Sequence, residues 1–271
     1  ERCGSAGATR LMLRPRVIVC LDVKDGRVVK GTQFKNLRDV GDPVELAQRY
    51  EAEGADEIVY LDVSASSESR GTLLDVVRRT AETLFIPLTV GGGVRSADDI
   101  GPLLRAGADK ISVNSAAVRD PELLSIGAER FGSQCVVASI DAARDNDIWR
   151  CFTHGGSKPN ELDAVAWAEE CVERGAGEIL LTSIDQDGAR TGYNLDLTAA
   201  VANRVSVPVI ASGGAGEAVH LRDAFTCGHA SAALVAGILH DGLTTVTELK
   251  SSLIDWGIRV RGSEMMEANK G

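Results

Sequence analysis

The sequence has 271 residues, of which 44% are hydrophobic and 25% charged, proportions that indicate a globular chain and exclude a disordered one. Its 39 acidic and 29 basic residues give a formal net charge of −10, which disfavours a nucleic-acid partner because such a surface repels polyanions. No apolar stretch reaches the length of a membrane span, so a membrane association is not expected. Six cysteines without a C-x-x-C pair favour reduced thiols and a cytoplasmic location.

The chain is expected to form one domain with a short extension at each end. Residues 1–11 carry no hydrophobic pattern, so we interpret them as a disordered leader. Residues 12–262 contain every predicted element, and residues 263–271 form a C-terminal tail.

Eight short apolar runs alternate with helical patterns along the chain. The predicted strands cover residues 16–21, 57–61, 86–90, 110–113, 135–140, 178–182, 208–211 and 232–236. The predicted helices cover residues 43–53, 73–84, 97–106, 121–131, 162–174, 195–203, 217–225 and 244–255. Eight strand-then-helix units predict an α/β protein with a closed parallel (β/α)₈ TIM barrel. A doubly wound open sheet is the structural alternative.

The two halves of the chain resemble each other at an offset of about 120 residues. CLDVKD (20–25) corresponds to ASIDAA (138–143), and VGGGVRS (90–96) corresponds to ASGGAGE (211–217). This internal repeat predicts two half-barrels of four units each. Because strands four apart lie opposite each other in such a barrel, shared features should occur twice, on opposite sides of one mouth.

Two aspartates occupy equivalent positions where predicted strands one and five end. Active sites of this fold form at the C-terminal ends of the strands, so Asp22 and Asp141 should face one cavity. Paired carboxylates divide acid and base roles when their surroundings separate their pKa values. The alternative is that each aspartate caps its following loop.

Glycine-rich turns follow strands three and seven, and small residues follow strands four and eight. Glycine lets backbone N–H groups approach an anion closely, whatever the net charge of the protein. The repeat therefore predicts a phosphate site on each side of the mouth, although tight turns between strands and helices also need glycine. The implied ligand carries a phosphate at each end and reacts at its centre, between the two aspartates.

Two loops are expected at the same mouth. Residues 23–42 are too many for a simple connection, so we interpret them as a lid on which Lys30 could reach a phosphate. The loop after strand six brings Asp187 and Gly188 there. A solvated surface loop is the alternative for the lid.

Four strands begin with a charged residue at the opposite, N-terminal rim. Such residues are usually solvated, but two cations and two anions could also close an ion-pair ring at the bottom of the barrel. The four residues are Arg16, Glu57, Lys110 and Glu178.

Neither a metal nor an organic cofactor is expected. The four histidines stand at no metal-ligand spacing, and the glycine-rich turn lacks the spacing of a dinucleotide site.

Several motifs together resemble the cyclase-subunit family of imidazole glycerol phosphate synthase. They are CLDVKDGRVVKGTQFKNLRDVGDP, VGGGVRS, ADKISVNSAAV, FGSQCVVASIDA, GEILLTSIDQDG and VIASGGAG, and the resemblance extends from residue 12 to about residue 259. It implies a lyase of histidine biosynthesis that takes ammonia and a bis-phosphorylated ribulosyl-formimino aminoimidazole carboxamide ribonucleotide. The implied products are imidazole glycerol phosphate and aminoimidazole carboxamide ribonucleotide.

The resemblance also implies a role for each matching residue. Asp22 and Asp141 would be the acid and base, and Lys30 the lid lysine near the substrate. One phosphate would lie by Gly93, Asn114 and Ser115, and the other by Asp187, Gly188, Gly214, Ala236 and Gly237. A glutaminase subunit would dock on the N-terminal face as the partner of a heterodimer and pass ammonia through a gate. That gate would be formed by Arg16, Glu57, Lys110 and Glu178.

Two departures and two rival functions stay open. Gly237 stands where a serine is usual, and Asn160 and Glu161 stand where Thr-Gly is common, so a phosphate contact could be missing and substrate binding altered. One rival is the sister isomerase built on the same half-barrel plan, which uses an aspartate on strand one and another on strand five. The other is a phosphate-binding barrel without catalytic activity that only docks a partner.

Overall fold

The structure, a computed structural model, describes residues 14–32, 35–64 and 70–262. The expected leader (1–11) and tail (263–271) lie outside the described residues. Within the described ranges, no helix combines the length and the apolar character needed to cross a membrane.

Twelve strands of the described residues lie in one sheet, and eight of them form a barrel. In chain order they are β1 (Arg16–Lys24), β2 (Arg27–Thr32), β3 (Lys35–Gly41), β4 (Glu57–Asp62), β5 (Leu88–Gly91), β6 (Lys110–Val113), β7 (Val136–Asp145), β8 (Ile148–Thr153), β9 (Lys158–Asp163), β10 (Glu178–Ser183), β11 (Val209–Ser212) and β12 (Ala232–Val235). The barrel strands β1, β4, β5, β6, β7, β10, β11 and β12 pair in parallel, and β12 pairs with β1 to close the ring. The predicted (β/α)₈ barrel is confirmed, and the open sheet is wrong.

Helices follow the barrel strands. They are α1 (Pro43–Ala52), α2 (Arg70–Ala81), α3 (Ala97–Arg105), α4 (Ser115–Arg119), α5 (Glu122–Phe131), α6 (Ala164–Glu173), α7 (Leu195–Ala202), α8 (Ala218–Thr226), α9 (Gly237–His240) and α10 (Val246–Asp255). Side-chain caps fix several starts: the Asp42 carboxylate accepts from two N–H groups of α1, and that of Asp163 does the same for α6. The short α4 and α9 were not predicted, because one turn of helix leaves no period in the sequence.

Side chains alternate between two cores along the barrel strands, as the period of two requires. One set faces outward and packs against the helices, as Tyr60 does when its hydroxyl donates 2.8 Å to the Pro43 carbonyl. The other set fills the barrel interior. Its members are Ile18, Cys20, Val59, Val137, Leu180, Ile210, Ala232 and Leu234.

Antiparallel hairpins follow β1 and β7 at equivalent places in the two halves. β1 runs on past the barrel to pair with β2, which pairs with β3, and β7 likewise continues into β8 and β9. In its described part, the segment 23–42 interpreted as a lid therefore forms a two-stranded extension of the sheet. Asp22 and Asp141 accordingly do not end their strands, which continue to Lys24 and Asp145. These paired insertions support the predicted half-barrel repeat.

Three predicted strand starts, those of β5, β7 and β11, were wrong by one or two residues. β11 begins at Val209, because Pro208 lacks the N–H group of a strand residue. β5 begins at Leu88, because Pro87 lacks the N–H group that a ladder pairing needs. β7 begins at Val136, because Cys135 lies in a 3₁₀ turn over Ser133–Cys135.

Candidate active site

Asp22 and Asp141 lie on barrel strands that are four apart, so they stand on opposite walls of the mouth. Each occupies the same register: Asp22 lies beside Leu61 of the next barrel strand and Val29 of its hairpin, and Asp141 beside Thr182 and Phe152. Residues on the same face of these strands, such as Cys20 two positions before Asp22 and Val137 four positions before Asp141, face the barrel interior. Both aspartates are half-buried, which keeps them at the cavity but open to a ligand.

The surroundings raise the pKa of both aspartates. Burial, and then the negative charge of Asp187, raises the pKa of Asp22 to about 7. The same two causes raise the pKa of Asp141 to about 6, although the hydrogen bond from Asn114 opposes them. At neutral pH the pair can therefore hold a proton on one carboxyl and offer a free carboxylate on the other.

Asn114 and Asp187 change the pKa values of these two carboxyls. The side-chain amide of Asn114 donates to Oδ2 of Asp141 at 2.9 Å, a contact that favours the ionised form of the aspartate. Asp187 lies in the loop after β10, and the residue as a whole is exposed. Partial burial of its carboxyl group nevertheless raises its pKa, although a backbone hydrogen bond from Gly188 acts to lower it. The negative charge of Asp187 thus contributes to the raised pKa of both Asp22 and Asp141.

The first predicted phosphate cradle lies at the ends of β5 and β6. Gly92 has a φ of +85°, and a Cβ there would lie 2.2 Å from the carbonyl oxygen of Asp62, so only glycine fits. Gly93 follows with a φ of +66°. Asn114 precedes the start of α4 at Ser115, whose hydroxyl accepts a 2.9 Å hydrogen bond from the backbone N–H of His154. The predicted residues of this cradle are thus contiguous at the mouth.

The second predicted cradle lies at the ends of β11 and β12 and repeats the first. Gly213 has a φ of +85°, and a Cβ there would lie 2.5 Å from the Ser183 carbonyl oxygen. Gly214 has a φ of +103°, and its carbonyl accepts from the N–H of Gly192 at 2.9 Å. Ala236 precedes α9 as Asn114 precedes α4, and Gly237 begins α9. The backbone of the two cradles is equivalent even where the side chains differ.

Lys30 reaches from β2 to this second cradle. Its Nζ donates to the Gly237 carbonyl at 2.9 Å and forms an ion pair with Asp241, directly after α9. The predicted lid lysine therefore lies beside a predicted phosphate site. Sequence reasoning missed Asp241 and two further cations that contact it, Arg38 and Arg190. No sequence pattern predicts these contacts with Asp241, because the four residues lie on four separate segments of the chain.

The four charged residues at the bottom of the barrel do close a ring. Nζ of Lys110 lies 2.8 Å from a carboxylate oxygen of Glu57 and 2.8 Å from one of Glu178. Arg16 completes the ring, with its Nη1 2.9 Å from Glu57 and its Nη2 on Glu178. Burial opposes the charge of Arg16, but the two glutamates raise its pKa above the usual value. Of the two readings of these residues, the ion-pair ring is therefore the one observed.

Thr89 is a fifth member of the ring that sequence reasoning missed. Its Oγ1 donates to Glu57 Oε1 at 2.6 Å and is fully buried. A polar residue within the apolar run of β5 was the signal that could have found it.

The comparisons with known proteins agree with this geometry. A family model described as "Histidine biosynthesis protein" matches residues 16–245. The chain is 70% identical over 250 residues to imidazole glycerol phosphate synthase subunit HisF of Myxococcus xanthus, covering 92% of this chain and 99% of that protein. The proteins of the same name from Bacillus licheniformis and Prochlorococcus marinus are 58% and 56% identical and are covered completely, over 92% and 93% of this chain. The chain belongs to the HisF family.

Membership of the HisF family makes the chain an enzyme of histidine biosynthesis, the cyclase of imidazole glycerol phosphate synthase. The family predicted from the motifs is confirmed. The word subunit in the names of these relatives also implies a partner subunit.

Three residues depart from the expected family pattern: Asn160, Glu161 and Gly237. Glu161 points outward, with 97% of its side chain exposed, and pairs with Arg150 at 3.2 Å. Asn160 accepts from the N–H of Leu162 at 2.8 Å, while its Nδ2 is buried without a hydrogen-bond partner in the described part of the chain. Gly237 has room for a side chain, since a Cβ there would lie 3.4 Å from Nζ of Lys30.

Across the described residues, no cluster of three or more histidine, cysteine, aspartate or glutamate side chains is arranged to hold a metal ion. The cysteines described there, Cys20, Cys135, Cys151, Cys171 and Cys227, are all unpaired thiols.

Proposed function

We propose that this chain converts the bis-phosphorylated ribulosyl-formimino aminoimidazole carboxamide ribonucleotide and ammonia into imidazole glycerol phosphate, aminoimidazole carboxamide ribonucleotide and water, with Asp22 and Asp141 as its acid and base. The observation that carries this proposal is the pair itself: two half-buried carboxyls on opposite walls, with pKa values raised to about 7 and about 6. Ring closure with ammonia needs protons both removed and delivered at the centre of the substrate. A pair that exchanges protons near neutral pH supplies both.

The two glycine-rich cradles bind the phosphates in this proposal. Gly93, Asn114 and Ser115 hold one phosphate, chiefly through backbone N–H groups at the mouth. The other lies by Asp187, Gly188, Gly214, Ala236 and Gly237, with Lys30 as its cation. Because the cradles belong to opposite half-barrels, a ligand gripped at both ends spans the mouth. Its centre then lies between Asp22 and Asp141, where positioning converts an encounter of two molecules into a local reaction.

Ammonia enters from below in this proposal. The ring of Arg16, Glu57, Lys110 and Glu178 closes the N-terminal end of the barrel, opposite the mouth. A glutaminase partner that docks on that face would release ammonia at the ring, from which it travels along the barrel axis. Arg16 and Lys110 each pair with both glutamates, so opening the ring breaks buried ion pairs and requires an input from outside, which a docked partner can supply.

The experiment is product analysis with isotopic ammonium. The purified chain is incubated at pH 8.5 with the bis-phosphorylated substrate and ¹⁵N-ammonium chloride, and the products are analysed by mass spectrometry. Our proposal predicts ¹⁵N in the imidazole glycerol phosphate. Turnover without incorporation of ¹⁵N would favour the sister isomerase, which consumes no nitrogen. Binding of the substrate without turnover would favour a barrel that only docks a partner.

A further inference from the structure

Four charged side chains from four segments meet beside the second cradle. Asp241, at the end of α9, receives Lys30 of β2, Arg38 of β3 and Arg190 of the loop after β10. One carboxylate oxygen, Oδ2, receives Lys30 and Arg190, and the other receives Arg38. We call these four residues the Asp241 cluster.

The cluster ties the β2–β3 hairpin to the end of β12, the barrel strand that pairs with β1. Among the described residues, backbone pairing joins the hairpin to β1 alone, with Asp22 beside Val29 and Lys24 beside Arg27. The ion pair of Arg27 with Asp39 joins β2 to β3 and so stays within the hairpin. The contacts with Asp241 instead reach across to the end of β12. They therefore add ion pairs between the hairpin and the barrel to the packing of Val28, which is buried in the main core.

The charges of the cluster are unbalanced around one carboxylate. Asp241 supplies one negative charge to three cations, and its side chain is 21% exposed. Without that carboxylate, Lys30, Arg38 and Arg190 would repel one another at close range. The repulsion would act between the hairpin and the barrel, since two of the cations lie on the hairpin and one lies on the barrel loop.

We propose that Asp241 is a positioning residue that latches the β2–β3 hairpin onto the end of β12 and holds Lys30 beside Gly237 before the substrate binds. A hairpin that is already in place presents three cations to a phosphate, so no binding energy is needed to close it. If the hairpin is released, only the fraction of molecules in which it is closed can bind the substrate, and the apparent affinity falls by that fraction. The consequence for the substrate rests on the proposed function, whereas the latch itself does not.

The latch is tested by hydrogen exchange on the unliganded chain. Asp241→Asn keeps the shape of the side chain and removes its charge. We expect backbone exchange over residues 27–41 to become about three- to tenfold faster, the effect of losing a few partly exposed ion pairs. Glu169→Gln is the matched control. Glu169 lies on α6, remote from the hairpin, and the substitution breaks its surface ion pair with Arg204. Unchanged exchange over residues 27–41, or faster exchange throughout the chain, would overturn the proposal.

A kinetic measurement tests the consequence for the substrate. With ammonium as nitrogen source, Asp241→Asn should raise KM for the bis-phosphorylated substrate about three- to tenfold and change kcat by less than about twofold. A KM that stays the same or falls would overturn the role of Asp241 in positioning Lys30. If the wild-type chain shows no turnover, the proposed function fails, and the exchange measurement still decides the latch.

Discussion

Asn114 donates a hydrogen bond of 2.9 Å from its side-chain amide to Oδ2 of Asp141, which joins the end of β6 to the next barrel strand. The bond favours the ionised form of Asp141, and it opposes the burial that raises the pKa of the same group. Asn114 also precedes α4 in the first phosphate cradle. One side chain therefore links the first predicted phosphate cradle to a carboxyl that we propose as acid or base.

Replacing this amide should change the pH dependence of turnover. In Asn114→Ala the pKa of Asp141 should rise from about 6 by about one unit, because a hydrogen bond to the charged form is lost. The limb of the profile of kcat/KM against pH that reports Asp141 should move upward by the same amount. A variant with lower activity but an unmoved limb would show that Asn114 contributes only to phosphate binding.

Neutralising Asp22 should stabilise the protein at alkaline pH. The pKa of Asp22 is raised to about 7, so between about pH 4 and pH 7 the unfolded chain loses this proton while the folded chain keeps it. The free energy of unfolding therefore falls as pH rises through this window. Asp22→Asn removes that loss, and we expect a gain of about 2 kcal/mol at pH 8 after allowance for solvent screening. Urea unfolding at pH 4 and pH 8 measures the difference.

The free energy of unfolding also depends on His240, whose pH dependence is opposite to that of Asp22. The gain in Asp22→Asn must therefore be measured relative to the wild type at each pH. Burial lowers the pKa of His240 to about 4, so the unfolded chain binds a proton between about pH 4 and pH 6.5 that the folded chain does not. This group makes the protein more stable as pH rises, in contrast to Asp22. An Asp22→Asn variant whose gain at pH 8 is no larger than its gain at pH 4 would contradict the raised pKa.

Gly92 should tolerate no side chain. In Gly92→Ala the added Cβ would lie 2.2 Å from the Asp62 carbonyl oxygen, which must move, and φ is +85°. We expect a loss of about 3 kcal/mol or more in the free energy of unfolding and loss of phosphate binding. Gly54→Ala is the control: φ there is +97°, but a Cβ meets nothing within 4 Å, so a loss of about 1 kcal/mol is expected. Equal losses in both variants would mean that the close approach at Gly92 is unimportant.

Breaking the ion-pair ring at the bottom of the barrel should affect glutamine-dependent turnover more than ammonium-dependent turnover. Glu57→Gln keeps the side chain's shape but leaves Arg16 and Lys110 with one anion fewer in a buried network. With a glutaminase partner that supports the wild type, the ratio of ammonium-dependent to glutamine-dependent turnover should rise about tenfold, the order of effect expected when one charge of a buried pair is lost. Parallel loss of both activities would contradict a gate.

The barrel could be predicted because each half repeats the same order of strand, turn and helix. Asp22 and Asp141 were placed correctly on opposite walls, since a period of four strands fixes that relation. The β2–β3 and β8–β9 hairpins were missed, because their polar strands lack the apolar alternation that identifies a buried strand. The contacts of Asp241 were missed for another reason: Lys30 and Asp241 lie 211 positions apart, and no local pattern joins them.

The most direct test of the central claim is ammonium-dependent turnover of the purified chain, wild type against Asp141→Asn, with circular dichroism to verify folding. Our account predicts that the wild type turns over and that Asp141→Asn loses about 10²- to 10⁴-fold in kcat, the range supplied by one acid or base. It also predicts that KM for the bis-phosphorylated substrate changes little, because the two cradles are intact. A folded Asp141→Asn variant that retains kcat within about threefold of the wild type would contradict the account.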